Sequence, residues 1–232
     1  MLTRVVIAVA VLLLGACASS RQNTFSGEFE RPAAGSRVLV MSPDVQLAVL
    51  TAAGIPEPRE DWSQAAREHI AAGVEAYLQG KSHQHSALDP NTAMEGRSGQ
   101  LIRLHDAVGV SILAVNYGQA NLPTRRNNFE WTLGEGVRDL AEAHQADYAL
   151  FITTRGSYAS SGRVAAMIGI AILSMGGSVM PLGGQQAFAS LVDLRTGNIV
   201  WFNVATVSPN WDIREPEGAQ AFAEYLMRSA PL

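Results

Sequence analysis

A β-hairpin over residues 188–207 constrains the fold more than any other part of this sequence. Residues 187–193 alternate apolar and small or polar side chains, Arg195-Thr196-Gly197-Asn198 reads as a turn, and residues 199–204 are mostly β-branched or aromatic. Gly197 supplies the positive φ that such a turn often needs. The two strands of a hairpin are antiparallel, so the sheet that contains them cannot be wholly parallel.

The rest of the sequence predicts strands and helices in alternation. Strands are expected at 37–41, 45–50 and 148–154, and residues 80–96 are expected to be mostly loop. Apolar side chains at three- and four-residue steps predict helices over 62–79, 99–115, 132–144 and 217–227. This order predicts an α/β domain with a mixed β-sheet, packed helices, and a C-terminal β-hairpin followed by a helix.

The first seventeen residues have the pattern of a bacterial lipoprotein signal. Arg4 precedes an apolar run over 5–15, and Leu14-Gly15-Ala16 lead into Cys17, the only cysteine of the chain. A basic, an apolar and a small-residue region in this order are typical of a secretory signal peptide. We therefore expect the signal peptidase to recognise Leu14, Gly15 and Ala16, and the thiol of Cys17 to be acylated. The apolar run is too short to span a membrane, which takes about 20 residues.

This signal predicts three regions. Residues 1–16 are the signal peptide, 17–35 a lipidated flexible tether rich in polar residues, and 36–232 a single periplasmic domain. Ala18 and Ser19 follow Cys17, which resembles the default pattern for lipoproteins of the outer membrane. The expected location is the periplasmic face of that membrane, with the lipidated Cys17 as the membrane contact.

Composition excludes one class of partner. Charged residues make up 16% of the chain, the formal net charge is −4, and Arg125-Arg126 is the only adjacent basic pair. A mildly acidic chain without basic clusters is not expected to be attracted by charge to polyanionic partners, whether nucleic acid or anionic lipid.

Residues 164–182 carry no charge, and three interpretations remain open. The first is a buried or partly covered helix followed by a glycine-rich loop. The second is an exposed apolar face that contacts the bilayer or a partner subunit through Met167, Ile170, Met175 and Met180. The third is a transmembrane span, against which Gly176, Gly177 and Pro181 argue because they interrupt the segment.

Few residues suggest chemistry. His83 and His85 could offer two imidazoles to a metal, whereas a structural zinc site takes four ligands. Asp44, Asp61 and His105 could line a pocket for a small ligand or a substrate, although capping and loop roles explain the carboxylates better. No G-x-S-x-G motif occurs. We expect no cofactor, no metal and no enzymatic activity.

Three segments resemble a known group of envelope proteins. They are the hairpin Ser190-Leu191-Val192-Asp193-Leu194-Arg195-Thr196-Gly197-Asn198-Ile199-Val200-Trp201 and the strands at 37–43 and 146–152. Together they resemble periplasmic lipoproteins related to the curli-secretion protein CsgG, the penicillin-binding-protein activator LpoB and the TolB N-terminal domain. The resemblance implies a TolB-N-terminal-like fold of three layers and a role in binding or assembly without a cofactor. It supplies no catalytic residue.

Three functions are therefore compatible with the sequence. The first is a lipid-anchored, non-enzymatic binding or assembly factor for another envelope protein. The second is a membrane-inserting homo-oligomer for secretion or transport that uses 164–182. The third is a periplasmic enzyme or small-ligand binder.

Overall fold

The computed structural model describes residues 20–29, 31–33, 35–81, 83–118, 120–123, 128–174, 182–206 and 211–232. The strands in these ranges are β1 (Ser20–Thr24), β2 (Arg37–Val40), β3 (Asp44–Leu50), β4 (Pro56–Pro58), β5 (Gln84–Ala87), β6 (Tyr148–Ala159), β7 (Gly183–Asp193) and β8 (Ile199–Thr206). The α-helices are α1 (Glu60–Gln79), α2 (Gly96–Ile112), α3 (Arg138–His144), α4 (Ser161–Leu173) and α5 (Pro216–Met227).

All these strands belong to one mixed sheet, with the long strand β6 at its centre. The order across the sheet is β1-β8-β7-β6-β2-β5; β3 lies beside the second half of β6, and β4 pairs with β3. Strands β2 and β3 run parallel to β6, one beside each half of it. Strands β7, β8 and β1 are each antiparallel to their neighbour, which confirms the predicted hairpin and the mixed sheet.

Helices cover both faces of the sheet and make the domain three-layered. Helices α1 and α5 pack on one face, and α2 and α3 on the other. Successive residues of a strand point to opposite faces. Accordingly, Leu150 and Trp201 join the core beneath α1 and α5, whereas Phe151 and Phe202 join the core beneath α2. The α/β class predicted from the sequence is thus confirmed.

Several boundaries differ from the prediction. Residues 84–87, expected in a loop, form β5 and pair with β2, although their sequence Gln-His-Ser-Ala has no apolar pattern. Helix α3 begins at Arg138, because Gly134 has a φ of 75° and a 3₁₀ turn follows it. Strand β6 continues to Ala159, since its second half pairs with β3 on one side and β7 on the other.

The predicted flexible tether contains a strand of the sheet. Residues Ser20–Thr24 pair with β8 in the register Ser20↔Ala205 to Thr24↔Trp201. Beyond the strand, the amide of Phe25 donates to the carbonyl of Val200, and Phe29 packs against the core beneath α1. The tether prediction is therefore wrong for residues 20–29, because backbone pairing at an edge does not need an apolar sequence.

The turn between β7 and β8 depends on a close backbone approach. Gly197 has a φ of 79°, and a Cβ at this position would lie 2.3 Å from the carbonyl oxygen of Gly134. The amide of Leu133 and the hydroxyl of Thr132 both donate to the carbonyl of Gly197. A side chain at Gly197 would therefore push these two loops apart.

Gly197→Ala is expected to lower the free energy of unfolding by about 3 kcal/mol, because it adds a clash to the strain of a positive φ. Gly96→Ala is the matched control, since Gly96 has a φ of 51° and open space around its Cβ position. For the control we expect the free energy of unfolding to fall by about 1 kcal/mol. Urea unfolding of both variants measures the difference, and equal losses would contradict the close approach.

Candidate functional site

Helix α4 projects from one end of the sheet, between two neighbouring strands. Tyr158 of β6 pairs with Gly183 of β7, and α4 lies in the connection between them. The helix begins directly after β6, where the hydroxyl oxygen of Ser160 accepts a hydrogen bond from the amide of Arg163 at 3.1 Å. This Ser160 cap fixes the start of the helix at the strand end. We call this end of the sheet, where β3 and β6 stop and β7 starts, the α4 end.

Helix α4 turns one side inward and leaves an apolar side exposed. Arg163 and Met167, one helical turn apart, are buried. The opposite side exposes Val164 by 39%, Ile168 by 57%, Ile172 by 72% and Leu173 by 87%. We call these four residues the α4 face. Monomeric proteins rarely expose such contiguous apolar surface, so this face is the first candidate for a functional site.

The predicted contact residues of this segment do not form the α4 face. Met167 points inward, Ile170 is half-buried, and Met175 and Met180 lie outside the described residues. The helix is apolar nearly all round, so its sequence does not reveal which side faces the protein. The prediction of a helix that is partly covered agrees with the structure of residues 161–173.

Further apolar side chains surround α4 at the same end. Ile55, in the turn that joins β3 to β4, is 62% exposed, and Leu182, directly before β7, is 50% exposed. Helix α4 contacts this turn, since a Cβ on Gly54 would lie 2.6 Å from a guanidinium nitrogen of Arg163. The apolar surface thus extends beyond the helix itself.

Strand β1 begins toward the α4 end of the sheet. Ser20 pairs with Ala205, which pairs with Ala187, which in turn pairs with Thr154. Strand β1 runs antiparallel to β8 and hence in the direction of β7, so its first residue lies toward the α4 end. Leu14, Gly15, Ala16 and Cys17 lie outside the described residues. Three residues span at most about 11 Å, which limits the distance from Ser20 to Cys17.

Two negative findings apply to the described ranges. No helix in them combines the length and apolarity needed to cross a membrane. Nor do His, Cys, Asp or Glu side chains there form a group of three that could hold a metal ion, so His83 and His85 gain no third ligand among the described residues.

A groove of about 800 Å³ lies between β3, the start of α1 and Met94. Its charged side chains are paired: the guanidinium of Arg155 lies 2.6 Å from a carboxylate oxygen of Asp44 and 3.1 Å from one of Asp106. Arg155 thus pairs with the predicted Asp44 and with a second carboxylate, Asp106, and the sequence analysis selected neither Arg155 nor Asp106. Of the predicted pocket residues Asp44, Asp61 and His105, only Asp44 lines this groove.

His105 is sealed inside the core beneath α2. Its ring stacks on Phe151 at a centroid distance of 4.8 Å and lies 5.4 Å from Phe188. Its Nε2 is 2.7 Å from Oγ of Ser190, and its side chain is buried. Burial lowers the pKa of His105 from 6.5 to about 3, because the charged imidazolium would lose its hydration. This histidine is a neutral structural group rather than an accessible base.

Comparison with known proteins gives distant structural likeness only. The sequence matches no protein-family profile and no curated protein sequence. A PelC dodecamer structure from Paraburkholderia phytofirmans is 12% identical, with 93% of this chain and 96% of that chain covered and a TM-score of 0.42. Lipoprotein GNA1162 from Neisseria meningitidis is 14% identical, with 74% and 81% covered and a TM-score of 0.31. The LpoB C-terminal domain from Salmonella enterica is 16% identical, with 79% and 87% covered and a TM-score of 0.30. Similarities of this size assign no function.

The buried His105 predicts a loss of stability in acid. The folded-state pKa of His105 is depressed, so the folded protein keeps the ring neutral, whereas the unfolded chain takes up a proton below pH 6.5. The free energy of unfolding therefore falls as the pH drops below 6.5, and this loss is complete near pH 3. Between pH 7.5 and 5.0 we expect the free energy of unfolding to fall by about 2 kcal/mol from this group.

Urea unfolding at the two pH values measures this loss. His105→Gln is the matched control, because a neutral amide can still bond to Ser190 and does not titrate. We expect the His105→Gln variant to lack this part of the pH dependence. An equal loss in both proteins would show that His105 is not its source.

Proposed function

We propose that this protein is an envelope lipoprotein, anchored through lipidated Cys17 at the periplasmic face of the outer membrane. Its folded domain would bind another envelope component as a non-enzymatic assembly or stability factor. The observation that carries this proposal is the pairing of β1 with β8, which begins only three residues after Cys17.

This pairing changes what the lipid anchor does. A flexible tether of 18 or so residues would let the domain sample some tens of Å above the membrane. With Ser20 in the sheet, at most about 11 Å of chain separates the lipidated residue from the folded domain. The acyl chains would therefore fix both the height and the orientation of the domain, which suits a protein that meets a partner at the membrane surface.

The charged groups of the described domain support a binding role over catalysis. Arg155 pairs with Asp44 and Asp106, Arg59 with Asp61, and Arg214 with Asp212. Hydrogen bonding from Arg214 lowers the pKa of Asp212 and so keeps this carboxylate ionised. These pairs stabilise surface loops and leave their carboxylates occupied rather than poised for proton transfer.

A second candidate is the membrane-associated oligomer, and the α4 face favours it. Helix α4 has 13 residues, so its length is about 20 Å. The hydrocarbon core of a bilayer is about 30 Å thick. Helix α4 therefore suits contact with a surface or another subunit better than passage through the membrane.

The proposed function is tested on the protein purified from intact cells that carry a photoreactive residue in place of Glu68 on α1 or Arg103 on α2. Both side chains are exposed, and they lie on opposite outer faces of the domain. Mass spectrometry is expected to find an acylated Cys17 as the first residue. It is also expected to find, from at least one position, an adduct with another envelope protein that is lost in Cys17→Ser.

Two results would contradict the proposal. A chain that starts at Met1 and carries no fatty acid would exclude the anchor. Adducts that contain only copies of this chain would instead support the oligomer. Ser19→Ala, which leaves the cysteine intact, is the control for a substitution close to the lipidation site.

A further inference from the structure

We propose that the α4 face rests in the surface of the same bilayer that holds the lipid of Cys17. The protein would then have two membrane contacts at one end of its sheet, one covalent and one made by α4. This inference rests on the proposed lipid anchor.

The position of β1 brings the two contacts together. Ser20 lies in the same row of paired residues as Ala187 of β7. Gly183, where β7 starts, lies four residues before Ala187, which is about 13 Å closer to the α4 end. The N-terminal end of β1, at Ser20, lies toward this end of the sheet, and at most about 11 Å of chain separates Ser20 from Cys17. A lipid attached there pulls the α4 end toward the bilayer.

The chemistry of α4 suits the interior edge of a bilayer. Its outward side chains are Val164, Ile168, Ile172 and Leu173, and its arginine, Arg163, is buried against the turn at Gly54. A helix shorter than the hydrocarbon thickness with one apolar face accessible lies in the interface plane rather than across it. Ile55 and Leu182 extend the apolar surface at the same end.

The bilayer is favoured over a second copy by this common end. A surface that binds another subunit can lie anywhere on the domain, whereas a surface that binds the membrane must lie where the anchor is. Each further membrane contact strengthens an anchor made of acyl chains. The α4 face provides that contact without any further modification.

The test uses the predicted mature chain, residues 17–232, with Cys17→Ser, which removes both the lipidation site and the only cysteine of the sequence. It is mixed with vesicles of phosphatidylethanolamine and phosphatidylglycerol at three to one and sedimented. We expect the protein to bind, and expect Ile168→Gln, Ile172→Gln and Leu173→Gln together to weaken binding at least tenfold. Leu104→Gln is the control, because Leu104 is exposed on α2, which covers a face of the sheet.

A fluorophore on a single introduced cysteine shows which surface enters the lipid. In the Cys17→Ser chain, a polarity-sensitive label on Ile172→Cys is expected to shift to shorter wavelength with vesicles, and one on Leu104→Cys to remain unchanged. Thermal unfolding confirms that the variants fold, as substitutions at exposed positions should allow.

Three results would overturn the inference. The first is the absence of vesicle binding, and the second is equal binding by the triple variant. The third is that the chain self-associates instead of binding vesicles, and that the triple variant abolishes this self-association. The last would make the α4 face an interface between copies. None of them bears on the lipid anchor, which the mass of the first residue in the natural protein reports separately.

Discussion

The backbone pairing of β1 with β8 is the interaction on which the rest of this account depends. It places a polar segment, Ser-Arg-Gln-Asn-Thr, at the edge of the sheet, beside the buried strand β8. Side chains reinforce it: the hydroxyl of Tyr117 donates to the carbonyl of Arg21 at 2.9 Å, and Nε1 of Trp201 lies 3.4 Å from Oε1 of Gln22. Because Ser20 follows Cys17 so closely, this pairing links membrane attachment to the orientation of the fold.

Local sequence patterns predicted the elements that pack on both faces or turn tightly. The hairpin of β7 and β8, the helix α1 and the first half of β6 follow from alternation, helical spacing and β-branched residues. The turn also predicted a need for glycine at position 197. The structure adds a second reason, because the carbonyl oxygen of Gly134 lies 2.3 Å from where a Cβ of residue 197 would be. These features depend on residues close together in the chain.

Elements that depend on distant partners escaped prediction. Strands β1 and β5 are polar edge strands, and each exists because a neighbour offers free backbone groups, which no pattern within the segment reveals. The ion pair of Arg155 with Asp44 joins residues more than 100 positions apart in the chain. Residue spacing in the sequence therefore did not indicate it. The buried state of His105 likewise depends on Phe151 and Phe188 from two different strands.

Helix α4 shows an intermediate case. Its helical structure and apolar character were predictable, yet its orientation was not, because nearly every side chain is apolar and the period of 3.6 has no polar side to mark it. The burial of Met167 and the contact of Arg163 with the turn at Gly54 mark the inward side. Choosing Met167 as an exposed contact therefore failed, whereas the exposed Ile168 is its immediate neighbour.

Hydrogen exchange of residues 20–24 in the mature protein tests the central claim most directly. If β1 is paired with β8, the amides that donate across this ladder exchange much more slowly than those of an unstructured peptide of the same sequence. Exchange at the unprotected rate throughout residues 20–24 would show that this segment is a free tether. The lipid would then no longer determine which end of the domain faces the membrane.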